Sequence, residues 1–455
     1  MTTNSAQPIQ DGEPAATAID TDVLVIGGGP AGSTISTLLA RKGWKVTMLE
    51  KDRHPRFHIG ESLLPMNMPI LQRLGVFEKM EGLGVLKLGA DFPRDEGGYN
   101  TFDFARAYEM KFPHAYHVKR EYFDQMLFEH AREQGVDARE QVKVERVEFD
   151  ARGRPVAVHA SDANGALQFR PRYLVDASGR DAFLGGKLKL KRKNPKHQSA
   201  AVFSHYRGVK RRPGTDAGNV SIYRHANGWI WLIPLPGEAE EMSVGAVCYP
   251  EYMKTRKGDS EGFLMRTLAE VPDIVERMQG AERSAPVHVT GNYAYECTRM
   301  AGPGWLLVGD AYNFVDPMFS SGVYLGMHSA EQGVAVVDGA LREPAHEQQL
   351  QGDMERELNG GLDVFKWFIY RFTSPTMKHL FANPKNYMQI EEAVVAMLAG
   401  DVFDSPAVRR RLRMFRVIYA ITAIGMAPRA LRGWWQRRRQ PRVGFEGDTL
   451  HTGNP

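Results

Sequence analysis

The chain has 455 residues, 43% of them apolar and 25% charged, with a formal net charge of +4. That balance excludes an extended disordered chain, and its length suits two or three domains. Two cysteines, Cys248 and Cys297, exclude a disulfide framework, and no apolar run reaches the length of a spanning helix.

In chain order, residues 1–20 carry neither an apolar run nor a basic start, and read as a disordered leader rather than a signal peptide. Asp22–Ile26 is a short apolar run, as expected of a buried parallel strand. Glycines follow at once, then a helical stretch over Thr34–Lys42 and a second strand over Lys45–Glu50. Strand, Gly-rich turn, helix and strand make a βαβ unit. Glu121–Gln134 has helical apolar spacing, and Lys143–Asp150 and Pro155–Ala160 read as paired strands. Arg172–Ala177 then returns to the central sheet. Strand-like segments recur from Ser199 to Thr290, Gly304–Asp310 is strand-like again, and Gly322–Val337 reads as a helix. Beyond Gln349 the pattern is mainly helical.

The expected fold is therefore mixed α/β: a Rossmann-type nucleotide domain with an inserted β-sheet substrate domain and a helical C-terminal region. The expected boundaries are 21–182 with 291–337 for the discontinuous nucleotide domain, 183–290 for the insert, 338–440 for the helical region and 441–455 for a tail. Between Ser405 and Phe445 lie eleven arginines and no carboxylate, which leaves 47 basic against 54 acidic residues elsewhere. Such a run is a solvated helical face or a surface for an acidic partner. The default compartment is the cytoplasm, and nothing in the composition points to nucleic acid.

Gly27-Gly28-Gly29-Pro30-Ala31-Gly32 fits G-x-G-x-x-G. Gly27 permits the tight turn, Gly29 lets a pyrophosphate approach the backbone, and Gly32 lets helix and sheet pack closely. The helix N-terminus beyond, starting near Ala31, faces the phosphates with its positive end. Glu50 ends the second strand, where a carboxylate accepts from ribose hydroxyls. No second fingerprint is present, so reduced flavin is expected from a separate flavin reductase.

Asp176-Ala177-Ser178-Gly179 and Gly309-Asp310-Ala311 each follow a strand, and both resemble motifs of the p-hydroxybenzoate-hydroxylase-like FAD superfamily. The resemblance gives Asp310 the ribityl chain and places Arg120 near the cofactor. Four further segments resemble flavin-dependent halogenases over roughly residues 20–335: Gly60-Glu61-Ser62, the Lys87-Leu88-Gly89-Ala90-Asp91-Phe92 stretch, Trp229-Ile230-Trp231-Leu232-Ile233-Pro234, and the Asp316–Val323 loop. The resemblance implies FAD used as FADH2, O2 and chloride or bromide. Halide attacks a flavin hydroperoxide to give hypohalous acid, which Lys87 relays to an electron-rich arene. It adds Lys51, Gly60, Val144, Pro317, Gly322 and Val323 to the cofactor contacts, gives halide to the backbone amides of Ser321 and Gly322, and places Phe319, Trp229 and Trp231 at the substrate. Glu61 is a second catalytic candidate, or else a structural carboxylate. The tryptophans are a wall between flavin and substrate, or core aromatics.

One position departs from tryptophan halogenases, whose loop carries a glutamate where this chain has Phe319. That favours a phenol or pyrrole, free or tethered to an acyl or peptidyl carrier protein, because such rings need less base assistance. A flavin hydroxylase, a prenyl reductase of the same superfamily, and a carrier-binding module without turnover remain open at this level.

Overall fold

The computed structural model describes residues 18–94, 97–194, 198–237, 240–291, 294–382 and 384–426. Most of the expected leader, residues 1–17, and the expected tail lie outside these. The first strand runs Ile19–Ile26, so it starts inside the expected leader, with Arg170 clamping Asp20 at 2.8 Å.

The strand Ile19–Ile26 sits in the middle of a sheet because its second half, Val23-Leu24-Val25-Ile26, is apolar on both faces. Val23, Leu24 and Val25 are fully buried, each contributing about 2 kcal/mol relative to exposure. It pairs in parallel with Gly165–Asp176 on one side and Val46–Leu49 on the other. Asp137–Arg139 extends the sheet past Val46–Leu49, and Trp305–Leu307 extends it past Gly165–Asp176. Helix Pro30–Arg41 packs on one face of this sheet against helices Arg120–Glu133 and Gly322–Arg342. The last of these runs on to Arg342, past the expected end at Val337.

The second sheet has the order Glu282–Arg283, Ala200–Arg207, Met242–Cys248, Gly228–Pro234, Val220–His225, Gly89–Pro93 and Tyr99–Asp103. Its last two strands come from the segment expected in the nucleotide domain. Gly89–Pro93 pairs in parallel with Val220–Ser221 and antiparallel with Tyr99–Asp103. The alternation in this stretch is masked by glycine and proline, and the pairing partner is distant in sequence. Helices Ser260–Leu268 and Pro272–Arg277 also interrupt the all-strand expectation for 199–290. They cover one face of the second sheet, where Phe263, Leu264 and Ile274 meet Ile230 and Leu232. The expected strand Gly304–Asp310 is shorter, Trp305–Leu307, and ends in a single 3-10 turn at Gly309–Ala311.

The C-terminal region is helical as expected, with helices Glu347–Ile369, Pro375–Ala382, Ile390–Leu398 and Pro406–Gly425. Phe365, Phe368, Phe372 and Phe381 are buried there, so these aromatics are core.

Candidate functional site

The nucleotide cradle is built from backbone proximity. Gly27 has φ +101°, and a Cβ there would lie 2.5 Å from the Ala177 carbonyl oxygen. A Cβ on Gly32 would lie 1.9 Å from the Gly27 carbonyl oxygen, so only glycine lets the helix start this close to the strand. Gly29, by contrast, has open space beside it, the nearest atom being an Arg56 nitrogen at 3.7 Å. Gly29 caps helix Pro30–Arg41, with Ala31 in its first turn and no acidic residue there, which leaves its positive end for an anion.

Glu50 follows the strand Val46–Leu49 and is buried. Its Oε2 accepts from Gly28 N at 2.8 Å and from Arg56 at 3.2 Å, and its Oε1 accepts from Asp52 N at 3.0 Å. Burial pushes its carboxyl up, but Arg56 and the two backbone donors hold it below the ordinary value. Arg56 reaches on to Asp124 at 3.3 Å, and Asp124 is clamped by Arg120 at 2.7 and 2.9 Å. Arg120 then donates to the Ile59 carbonyl at 2.9 Å and to the Gly60 carbonyl at 3.4 Å. A continuous chain of contacts therefore leads from the fingerprint to the Gly60–Glu61–Ser62 segment. Arg56 and Asp124 were not among the expected site residues, although the i, i+4 spacing of Arg120 and Asp124 marks such a pair.

Lys87 ends the strand Gly84–Lys87 and is 1% exposed. Its ammonium donates to Ser62 Oγ at 2.9 Å and to the Leu63 carbonyl at 3.0 Å, and lies 5.3 Å from the centre of the Phe104 ring. Among the described residues no carboxylate pairs with it, and burial pulls its pKa down to about 7. The neighbouring His117 bridges to Ser62 across the backbone. Its Nε2–H donates to the Gly218 carbonyl at 2.9 Å, which leaves Nδ1 as a buried acceptor without a partner. Burial, then the charge of Lys87, keeps that ring neutral. Ser62, His117 and Phe104 were missed because each sits in a different element, and only the fold brings them to the amine.

Glu61 is 2% exposed, with Oε1 2.7 Å from Nε2 of His205 and Oε2 buried without a partner. Burial opposes a charge on His205, but Glu61 overrides it and raises the imidazole pKa.

The loop Asp316–Ser321 folds as a 3-10 turn over Pro317–Phe319, with Asp316 accepting from Met318 N at 3.2 Å and Ser320 at φ +57°. Ser321 then caps the 21-residue helix Gly322–Arg342, and its hydroxyl is buried without a partner. The backbone N–H groups of Gly322 and Val323 open this helix, and they precede the first internal acceptor. Phe319 is buried edge-on against Phe372, ring centres 5.6 Å apart.

Trp229 and Trp231 lie on the strand Gly228–Pro234 and share the face that packs into the large core continuous with the nucleotide half. Their rings are 5.7 Å apart; Trp231 donates to Ser243 Oγ at 3.1 Å, and the Trp229 indole N–H has no partner. Both are core aromatics in this structure, on the face of the sheet opposite the one that Phe263, Leu264 and Ile274 cover.

The residues fit FAD. Asp310 stands on the turn Gly309–Ala311, its carboxylate in the field of Arg180 and Arg120. Burial pushes it up to about 6, against the pull of Arg180 and Arg120. Among the other expected contacts, Lys51 pairs with Asp181 at 2.6 Å, Pro317 opens the 316–321 loop, and Val144 is buried in the strand Lys143–Phe149. That strand leads from Val142, whose N–H donates to the Glu50 carbonyl at 2.9 Å. Among the described residues no cluster of His, Cys, Asp or Glu suits a metal ion.

Residues 20–353 match the FAD binding domain family. The chain is 37% identical over 333 residues to tryptophan 2-halogenase of Chondromyces crocatus, covering 70% of this chain and 62% of that relative, so it spans under two thirds of that protein's length. It is 29% identical to the 1H-pyrrole-2-carbonyl-[peptidyl-carrier protein] chlorinase of Pseudomonas fluorescens, covering 88% of this chain and 94% of the relative. Among solved structures, the myxobacterial chondrochloren halogenase CndH superposes with a TM-score of 0.74 at 30% identity, over 89% of this chain and 97% of that one.

Proposed function

Because the chain belongs to the flavin-dependent halogenases, we propose that it is an FADH2-dependent enzyme that transfers chloride- or bromide-derived halogen to an electron-rich arene through Lys87. Reduced FAD, when bound, would supply the electrons that activate O2, and O2 is the oxidant that would take halide to hypohalous acid.

This chain's residues do the rest. The Gly27–Gly32 turn and its helix hold the pyrophosphate, with Glu50 and Asp310 taking sugar and ribityl hydroxyls. Val144, Lys51, Gly60, Arg120, Pro317 and Val323 complete the cradle. The amides of Ser321 and Gly322, with the unpartnered Ser321 hydroxyl, seat the halide. Lys87 carries the reading: a dry amine with a pKa near 7 and two neutral acceptors keeps donors for hypohalous acid and does not lose them to a carboxylate. Trp229 and Trp231 brace the second sheet as core aromatics, and Phe319 leaves no carboxylate at its own position to assist a reluctant ring. A phenol or pyrrole follows. The match over nearly the whole length of a carrier-protein chlorinase supports a substrate tethered to a carrier protein. Reduced flavin comes from a separate reductase. A hydroxylase or prenyl reductase shares the nucleotide half but gives Lys87 no task. No described helix is long and apolar enough to cross a membrane.

The test is mass spectrometry of turnover with FAD, a flavin reductase, NADH, O2 and chloride or bromide, on free and carrier-loaded phenols and pyrroles, with Lys87→Ala alongside. A halogen isotope pattern present in wild type and absent from Lys87→Ala is expected. An oxygenated product without halogen would overturn the reading.

A further inference from the structure

We propose that the groove between helices Glu347–Ile369 and Pro406–Gly425 is the docking surface for an acidic carrier protein. This rests on the carrier-tethered reading of the substrate. Arg409, Arg413 and Arg416 recur at i, i+4 and i+7 on the second helix, so they share one face, and they line the groove with Leu412 opposite Gly360 and Asp363. Asp363 is the single carboxylate in that lining, and its backbone carbonyl, not its side chain, accepts from Arg416 at 3.4 Å.

The arginines are gathered at a cost. Arg371 and Arg416 both lie against the Trp367 ring, at 4.7 and 5.2 Å from its centre. Burial, then repulsion by Arg371 and Arg413, lowers the pKa of Arg416, and its Nε is buried without an acceptor. Arg409, Arg410 and Arg413 have no carboxylate partner among the described residues. Asp363 pulls the other way on Arg416, but burial and the neighbouring arginines prevail, and a face this rich in arginine favours an anionic partner.

The same helix continues with Val417, Ile421 and Ile424, which are 59%, 65% and 77% exposed. A basic patch running into an exposed apolar stripe is complementary to an acidic helix with apolar anchors, the anatomy of a protein interface. Trp367, on whose ring Arg416 lies, stands five residues before Phe372, whose ring packs on Phe319 in the loop before Ser321. The carrier-protein chlorinase matches 88% of this chain, against 70% for tryptophan 2-halogenase, so the likeness to the carrier-using relative covers more of the chain.

The experiment uses the full chain, a peptidyl carrier protein loaded with pyrrolyl-2-carbonyl or 4-hydroxybenzoyl, and the same acyl groups on pantetheine alone. For Arg409→Glu/Arg413→Glu, KM for the loaded carrier should rise about tenfold or more and lose its salt dependence, with turnover of the acyl-pantetheine retained. Arg409→Gln/Arg413→Gln gives the same comparison should charge reversal unfold the chain. An unchanged KM, or an equal loss on both substrates, overturns the docking surface. Wild type that halogenates acyl-pantetheine and ignores every loaded carrier overturns the carrier reading, and docking with it, but leaves the halogenase standing. Capture by phosphatidylglycerol vesicles through the same arginines, without carrier binding, would make the surface a membrane one and also overturn it.

Discussion

Lys87 Nζ stands 2.9 Å from Ser62 Oγ, and this contact ties the amine to the segment that Arg120 holds from the nucleotide side. A buried lysine with no anion is strained toward its neutral form. Its pKa of about 7 lies below the unfolded value, so the unfolded chain binds more protons between pH 7 and about 10.4. Stability lost to Lys87 is therefore greatest at and below pH 7 and is recovered as pH rises. Lys87→Met should stabilise the protein at pH 7 by at most about 5 kcal/mol, the gain fading toward pH 10. Urea titrations across that range check the slope; a gain that is flat with pH would contradict it.

Ser62→Ala removes one of the two acceptors of the ammonium and should lower the amine pKa further below 7. Competitive amine labelling of Lys87 against pH reads this directly, without turnover. Ser62→Thr, which keeps the hydroxyl, should restore the wild-type curve.

Glu61 holds His205 charged, so the pair stabilises the fold below the unfolded imidazole value of about 6.5 and loses that contribution as pH rises through the raised folded value. Glu61→Gln should destabilise the protein far more at pH 6 than at pH 9. NMR titration of the His205 ring should show its pKa falling in the variant.

Asp124 is the shared partner of Arg56 and Arg120 in a fully buried position. Asp124→Ala leaves the buried Arg120 without its carboxylate, while Arg56 keeps Glu50, and should cost about 3–5 kcal/mol, with FAD lost on gel filtration. Asp124→Asn keeps the shape and should cost less.

Gly245 faces Trp231 across the second sheet, where a Cβ would lie 2.3 Å from the indole and 2.4 Å from the Phe203 Cβ. Gly245→Ala should cost about 1–3 kcal/mol and push Trp231 off Ser243. A shift in tryptophan fluorescence with unchanged FAD absorbance would show Trp231 displaced and the cradle intact.

The nucleotide half was legible because its evidence is local: Gly27, Gly32 and Glu50 fall within one βαβ unit whose geometry admits few other residues. Lys87 was legible only through family likeness, since a lone lysine in a sequence looks like a solvated charge. Its real surroundings, Ser62, His117 and Phe104, are set by strand pairing between distant segments, which periodicity does not report. For the same reason the sequence leaves Gly89–Asp103 within the expected nucleotide domain, whereas its two strands join the second sheet.

That pairing also sets an order of assembly. Ala90 finds its neighbour in Val220, and the His117 imidazole finds its acceptor in Gly218, both long after the dinucleotide turn has left the ribosome. A chain cut before residue 218 keeps Gly27–Gly32 and the Ser62, Leu63 and Phe104 partners of Lys87, but lacks the acceptor that fixes the neighbouring His117 and the strand that Gly89–Pro93 pairs with. Flavin binding alone is therefore no certificate that a preparation, a truncation or a folding intermediate possesses a finished relay.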